Sequence, residues 1–307
     1  MNPEPDALTR LRPTERRHPG TEDIDVWPTA RVVAAIIEED AVGVRAVAAI
    51  AEDLARAIDA AVERAREGGM VHAFGAGTSG RLALLDATEA TPTFGAPPGF
   101  FSAHFPGGAD AFFDSGIDLE DAEQLGAEHA EVVRADDIVL GITASGSTAY
   151  VRGALTRARE AGALLVLITN DPGASLAEFA DFALCADTGP EVLTGSTRMK
   201  AGTATKVILN AFSTALMIRL GRTYSNLMVG LVATNAKLHE RALVAIEMAT
   251  GLPSTKGATL LDRCSGDLPL ALVHALSGRS IDDARHALDT DGGVRAALER
   301  LGVDRAG

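Results

Sequence analysis

The chain is short of cations. Its 42 Asp and Glu residues face only 28 Lys and Arg, a formal charge of −14, and such a surface repels phosphodiester backbones and anionic lipid alike. Nucleic acid and membrane are therefore not expected as partners, and any phosphate must be captured locally. Cysteine is scarce as well. Cys185 and Cys264 lie in apolar or amphipathic stretches, without the close Cys and His spacing of a zinc site, and read as two buried reduced thiols. The first twenty residues, MNPEPDALTRLRPTERRHPG, contain charge and proline but no apolar core of a signal peptide. Nowhere do about 18 apolar residues run uninterrupted, as a membrane span requires. Together these absences lead us to expect a soluble, cytoplasmic protein.

What is present suits a large core. With 307 residues and 47% hydrophobic content, the length suggests one large domain and a smaller one. Residues 1–28 are proline-rich and aperiodic, and should form an extended arm able to reach a partner subunit. Over 41–66 the apolar positions Val47, Ile50, Leu54, Ile58 and Val62 recur three or four apart, the spacing of an amphipathic helix. MVHAF (70–74), DIVLGIT (137–143) and ALLVLIT (163–169) are short apolar runs, each ending in a loop and followed by polar or helical sequence. With weaker strands near 99–104 and 182–186, they imply an α/β fold, a parallel sheet between helices. In such sheets ligands bind beyond the carboxyl ends of the strands. Residues 197–220 and 224–248 read as two long helices, the first apolar enough to be buried by the sheet or by another subunit. We therefore expect a main domain over 29–251 and a small helical domain over 252–307, built from four short helical patterns.

Three loops could hold a phosphate. Gly75, Gly77 and Gly80 match the GxGxxG pattern between a strand and a helix, a weak signal when it stands alone. Thr78 and Ser79 fill the intervening places and add hydroxyl donors at a helix N-terminus, favouring a phosphosugar over a dinucleotide. No acidic ribose ligand follows at the end of the next strand. The second loop is Ser145-Gly146-Ser147-Thr148, and the third runs from Thr194 to Lys200 and includes Ser196 and Arg198. Each alone could be an ordinary helix cap. Three of them on one sheet edge argue for a ligand, with backbone N–H groups of Gly80 and Gly146 near it.

GAGTSGRLALLDATEATPTFG (75–95) resembles the signature of the N-acetylmuramic acid 6-phosphate etherases, within the sugar-isomerase (SIS) phosphosugar-binding fold. TERRHPGTEDIDVWPT (14–29), TGSTRMKAGTATKVILN (194–210) and NLMVGLVATNAKLHER (226–241) are similar to family segments in the same order. The resemblance implies a cytoplasmic homodimer that needs no metal or redox cofactor and takes a sugar 6-phosphate. The reaction it implies removes the D-lactyl ether from N-acetylmuramic acid 6-phosphate, giving N-acetylglucosamine 6-phosphate and D-lactate in cell-wall sugar recovery. By motif, the family's two glutamates map onto Glu89 in Asp86-Ala87-Thr88-Glu89, as the acid, and Glu120 in Asp118-Leu119-Glu120-Asp121, as the base. An acid must keep its proton near neutral pH, so Glu89 should be sheltered by apolar groups such as Leu84, Leu85 and Phe94. The bland alternatives are a solvated helix end for Glu89 and an acidic helix face for Glu120.

The sequence departs from the family pattern in places. Ser147 and Ala149 stand where the family loop has Arg and Pro, and His18 stands where it has Asn. Ala90-Thr91-Pro92 replaces Cys-Pro-Pro. These changes bear on the sugar recognised. Two other functions use the same fold: a noncatalytic phosphosugar sensor and an aldose–ketose phosphate isomerase.

Overall fold

The structure is a computed structural model that describes residues 11–113, 119–230 and 236–303. It divides into two units. The first holds the described residues of Met1–Ala87 and Gly99–Phe212, the second those of Thr88–Pro98 and Ser213–Gly307.

In the first unit the segment expected as one helix over 41–66 is two: α1, Thr29–Ala49, and α2, Ala51–Arg66. Ile50 leaves helical geometry at φ −107°, ψ 16° and ends the first. The apolar spacing still works as read, since Leu54, Ile58 and Val62 of α2 are buried. The sheet then forms from β1 (Val71–Gly75), β2 (Phe101–His104), β3 (Ile138–Ile142), β4 (Leu164–Thr169) and β5 (Phe182–Cys185). All neighbours are parallel, in the order β2-β1-β3-β4-β5. Every residue of β1, β3 and β4 is buried, because helices cover both faces. One of these is α6, Ala149–Ala161, whose Tyr150, Val151 and Leu155 pack with Phe74, Val139, Leu165 and Leu167. On the other side α2 touches β3, β4 and β5.

Chain order reverses its direction across the sheet between β1 and β3, so the loops after these two strands diverge and leave a crevice. Helix α3, Gly77–Phe94, begins in the first of those loops, and α6 follows the second. Two short helices, α4 (Gly108–Phe113) and α5 (Glu123–His129), lie between β2 and β3 in sequence. α5 and α6 approach backbone to backbone through two glycines. A Cβ on Gly126 would overlap the Tyr150 carbonyl, and one on Gly153 the Glu123 carbonyl. The Arg152 guanidinium also grips Glu123 with both arms, Nε to Oε1 at 3.0 Å and Nη2 to Oε2 at 2.6 Å. This close pairing matters because the turn before α5 carries Glu120.

Helix α7, Lys200–Arg219, has the length and apolarity of a membrane-crossing helix, yet Ala204, Ile208, Phe212, Leu216 and Met217 are buried within the chain. In the second unit, the helix expected over 224–248 is corrected. Its start is a hairpin of β6, Thr223–Tyr224, and β7, Leu227–Met228, with Tyr224 opposite Leu227. Ser225 adopts φ +53° and, with Asn226, makes the tight turn that a helix period cannot accommodate. Part of the family-like segment 226–241, residues 231–235, lies outside the described residues. Helix α8 covers Ala236–Thr250. The four short helices expected after it are α9 (Ser254–Arg263), α10 (Leu268–Ser277), α11 (Ile281–Asp291) and α12 (Val294–Arg300). They enclose a core of Leu260, Leu268, Leu272, Ala287 and Leu298.

Candidate active site

A polar cleft of about 490 Å³ opens at the crevice between the loops after β1 and β3. The start of α3, directly after β1, contributes Gly77, Thr78, Ser79 and Arg81, the loop after β3 contributes Thr143, Ser145 and Thr148, and the stretch before α7 contributes Gly195 and Thr197. Glu120 lies in the same cleft.

The hydroxyls after β3 form one cluster. Thr143 Oγ1 is 3.1 Å from Ser145 Oγ and 2.8 Å from Thr148 Oγ1, and Ser145 Oγ is 3.3 Å from Ser147 Oγ. Thr148 stands at the N-cap of α6 but makes no side-chain bond to that helix. The plain capping role is therefore unfilled, and its hydroxyl is turned into the cluster. Hydroxyls of this kind rotate to donate, which suits the acceptor-rich surface of a phosphate. Sequence patterning does not single out Thr143, because it ends a strand and carries no loop signature.

Glu120 is fastened to this cluster through the backbone. Its carbonyl accepts the Tyr150 N–H at 2.9 Å, in the first turn of α6. Its Oε1 lies 2.8 Å from where a Cβ on Gly77 would stand, so Gly77 leaves room for the carboxylate. The alternative of an acidic helix face does not describe Glu120, which occupies a turn ahead of α5. Asp118 lies outside the described residues.

Other expected ligands are differently employed. The Gly80 N–H donates to Ala76 and the Gly146 N–H to Thr143, so neither is free to meet an anion. Both glycines are needed for close approach instead. A side chain at Gly80 would overlap Gly75 and Phe105, and one at Gly146 would overlap Ala174. Lys200 is buried, and its ammonium pairs with Glu39 rather than lining the cleft. The N-terminus of α7 is also taken: the Glu191 carboxylate accepts the N–H groups of Lys200 at 3.1 Å and Ala201 at 3.0 Å. Burial pushes Glu191 above the ordinary carboxylate range, against the pull of those two N–H groups and the Lys200 charge. For Glu39 burial likewise pushes up, but Lys200 and then His18 outweigh it and hold the carboxyl low. Arg198 is exposed and Ser196 half-buried, and neither lines the cleft.

Glu89 is exposed on the single chain, as is Leu85 one helical turn before it, while Phe94 is buried. The expected apolar shelter is absent from this face of α3 because neighbours in sequence share a helix face only at three- or four-residue spacing, and here that neighbour is itself solvated.

The N-terminal segment supplies residues that its composition did not announce. Arg12 and Glu15 line the cleft, and Glu15 Oε2 lies 3.1 Å from where a Cβ on Gly195 would stand. The only sequence signal was the family-like TERR that begins at Thr14.

Comparison with known proteins bears on the fold and the family. A model of the SIS domain matches residues 117–215, and one of the glucokinase regulatory protein N-terminal SIS domain matches 53–159. Proteins named N-acetylmuramic acid 6-phosphate etherase are similar over almost the whole chain. That of Thermobifida fusca is 51% identical over 277 residues, covering 90% of this chain and 91% of its own. That of Rubrobacter xylanophilus is 47% identical, covering 93% and 95%, and that of Deinococcus radiodurans 43%, covering 93% and 94%. Identity of this degree over nine-tenths of the chain, joined to a parallel sheet with hydroxyl loops at its switch point, makes the chain a member of the N-acetylmuramic acid 6-phosphate etherase family.

Proposed function

We infer that the protein is a carbon–oxygen lyase that cleaves the D-lactyl ether of N-acetylmuramic acid 6-phosphate, yielding N-acetylglucosamine 6-phosphate and D-lactate in amino-sugar recycling. The observation that carries the reading is a hydroxyl cluster at the sheet's switch point, set beside Glu120, in a chain of this family. Thr78, Ser79, Ser145 and Thr148 are the proposed phosphate ligands, with Ser147 behind Ser145.

The chemistry follows from the open-chain aldehyde, which acidifies the hydrogen on C2. Glu120 is the proposed base that takes this proton. The electron pair left on C2 forms the C2–C3 double bond as the C3–O bond breaks, and the lactate oxygen leaves with a proton from an acid. Water then adds across the double bond, its hydroxyl to C3 and its proton to C2. Glu89 is the proposed acid. Glu89 is exposed on the single chain, so the shelter that this role calls for has to come from outside it. We therefore include a homodimer in which Glu89 completes the other copy's site. Apolar surface for such an interface exists on α1, where Val33, Ile37 and Val44 are exposed four and seven residues apart on one face; α7 leaves Ile218 exposed. Because its substrate is a phosphorylated metabolite, the protein is assigned to the cytoplasm.

The direct test is D-lactate release from N-acetylmuramic acid 6-phosphate. Thermal stabilisation by sugar phosphates without lactate would mark a sensor, and a ketose phosphate product would mark an isomerase. Light scattering of the native protein and of Ile37→Glu checks the dimer: a monomer with full activity removes it.

A further inference from the structure

We propose that Arg12 reads the carboxylate of the substrate's lactyl ether, and so distinguishes substrate from product. This rests on the etherase reading of the cleft.

The arm that carries Arg12 is seated on its own unit. Thr14 is fully buried, Thr21 Oγ1 donates to the Val192 carbonyl at 2.8 Å, and His18 Nε2 lies 3.3 Å from Glu39 Oε1. Ahead of the last two anchors, Pro13–Glu15 form a single tight turn whose first bond runs from the Glu15 N–H to the Arg12 carbonyl at 2.9 Å. Arg12 and Glu15 therefore flank a buried residue and reach the cleft from a fixed backbone.

The substrate brings two anions, the phosphate and the lactyl carboxylate. Neutral hydroxyls after β3 suit the first. The second must enter a cleft that already holds the Glu15 and Glu120 carboxylates, and without a cation it would be repelled. Arg12 and Arg81 are the cations lining it. Arg81 is committed elsewhere: Nε donates to the Phe112 carbonyl and Nη2 to that of Ala111, both at 3.1 Å, with the guanidinium over the Phe105 ring. Lys200 is spent on Glu39. Among the described residues the guanidinium of Arg12 has no partner, and it is exposed. Its planar fork fits a carboxylate with two parallel hydrogen bonds. The product, N-acetylglucosamine 6-phosphate, has lost that carboxylate and leaves Arg12 nothing to hold.

The test compares R12Q and R12K with the native enzyme through two constants: KM for N-acetylmuramic acid 6-phosphate and the inhibition constant of N-acetylglucosamine 6-phosphate. In R12Q, KM rises about 10- to 100-fold, the scale of one lost charge-assisted hydrogen-bonded pair, while product inhibition stays within about twofold. R12K recovers part of the loss. If both constants rise together, Arg12 holds the shared phosphate; if neither moves, it touches no substrate anion. Either outcome overturns the proposal. Native protein that releases no D-lactate fails at the first step, which sinks the etherase reading and this inference with it. Lactate release by the native enzyme with unchanged constants in R12Q sinks the inference alone.

Discussion

Two hollows among the described residues of the first unit differ in kind, and the larger is the less chemical. One, of about 690 Å³, lies by β2 and α4 and is walled by Leu84, Phe105, Phe112, Phe113, His104 and His129. The other, about 490 Å³, is the hydroxyl-lined cleft at the switch point. The imidazoles of the large hollow face inward to structural partners: His104 Nε2 is 3.0 Å from His72 Nδ1 and its ring stacks on Phe74, while His129 Nδ1 is 2.9 Å from the Tyr150 hydroxyl. Burial, then His72 and His129, push His104 down to about 4, so it is uncharged at neutral pH and offers no cation to a phosphate. Volume alone would favour the other hollow. Convergent donors beside a carboxylate, at the point where the sheet order reverses, are the reason the smaller one is proposed as the site.

The sharpest way to break this comparison is to remove the carboxyls. Glu89→Gln keeps shape but loses the transferable proton, and lactate release should fall about 10²–10⁴-fold, the range of general acid catalysis. In deuterated water it should still exchange the C2 hydrogen of the product sugar phosphate, whereas Glu120→Gln should lose both exchange and lactate release. The reverse pattern would swap the two roles, and two fully active variants would defeat the mechanism. Next in size is the phosphate site. Ser79→Ala combined with Ser145→Ala should weaken sugar-phosphate binding in calorimetry, each lost charge-assisted bond contributing about 1.5–3 kcal/mol; unchanged affinity would put the phosphate elsewhere.

The large hollow should answer in stability. His104 titrates near 6.5 when unfolded and at about 4 when folded. Below 6.5 the unfolded chain therefore takes up a proton that the native one does not, and stability present above 6.5 is lost as pH falls toward 4. The loss is on the order of 3 kcal/mol. His104→Phe should flatten the fall in Tm across this window; an equally steep fall would assign the acid limb to other groups. The smallest effect belongs to Phe113, 86% exposed at the rim of the hollow. Phe113→Ser should leave KM and kcat for the lactyl ether unchanged, and a marked rise in KM would join the two hollows functionally.

Much of the fold was legible along the chain. The runs at 70–74, 137–143 and 163–169 became the three fully buried strands, because a strand covered on both faces has to be continuously apolar. The helix expected over 224–248 failed at Ser225, where two residues with turn chemistry outweighed an apolar period that strand and helix share. In the site, hydroxyl loops could be read because Ser and Thr cluster at helix starts. What could not be read was how each group is already used: the Gly80 and Gly146 N–H groups inside their own turns, and Lys200 on Glu39. A sequence displays donors and acceptors without showing which are satisfied.

By itself, then, the sequence determined the alternation of strand and helix, the positions of the phosphate-type loops and, through resemblance, the family and the two glutamates that its motifs single out. These are local patterns or matches residue by residue, and they need no partner in space to be recognised. Tertiary structure alone decided that β1 and β3 lie side by side with chain order reversing between them, which makes one cleft out of loops roughly seventy residues apart. It also decided that the arm returns Arg12 and Glu15 to that cleft, and that Glu191 answers the N-terminus of α7. Contacts of this range depend on the path of the whole backbone, and no window of neighbouring residues contains them.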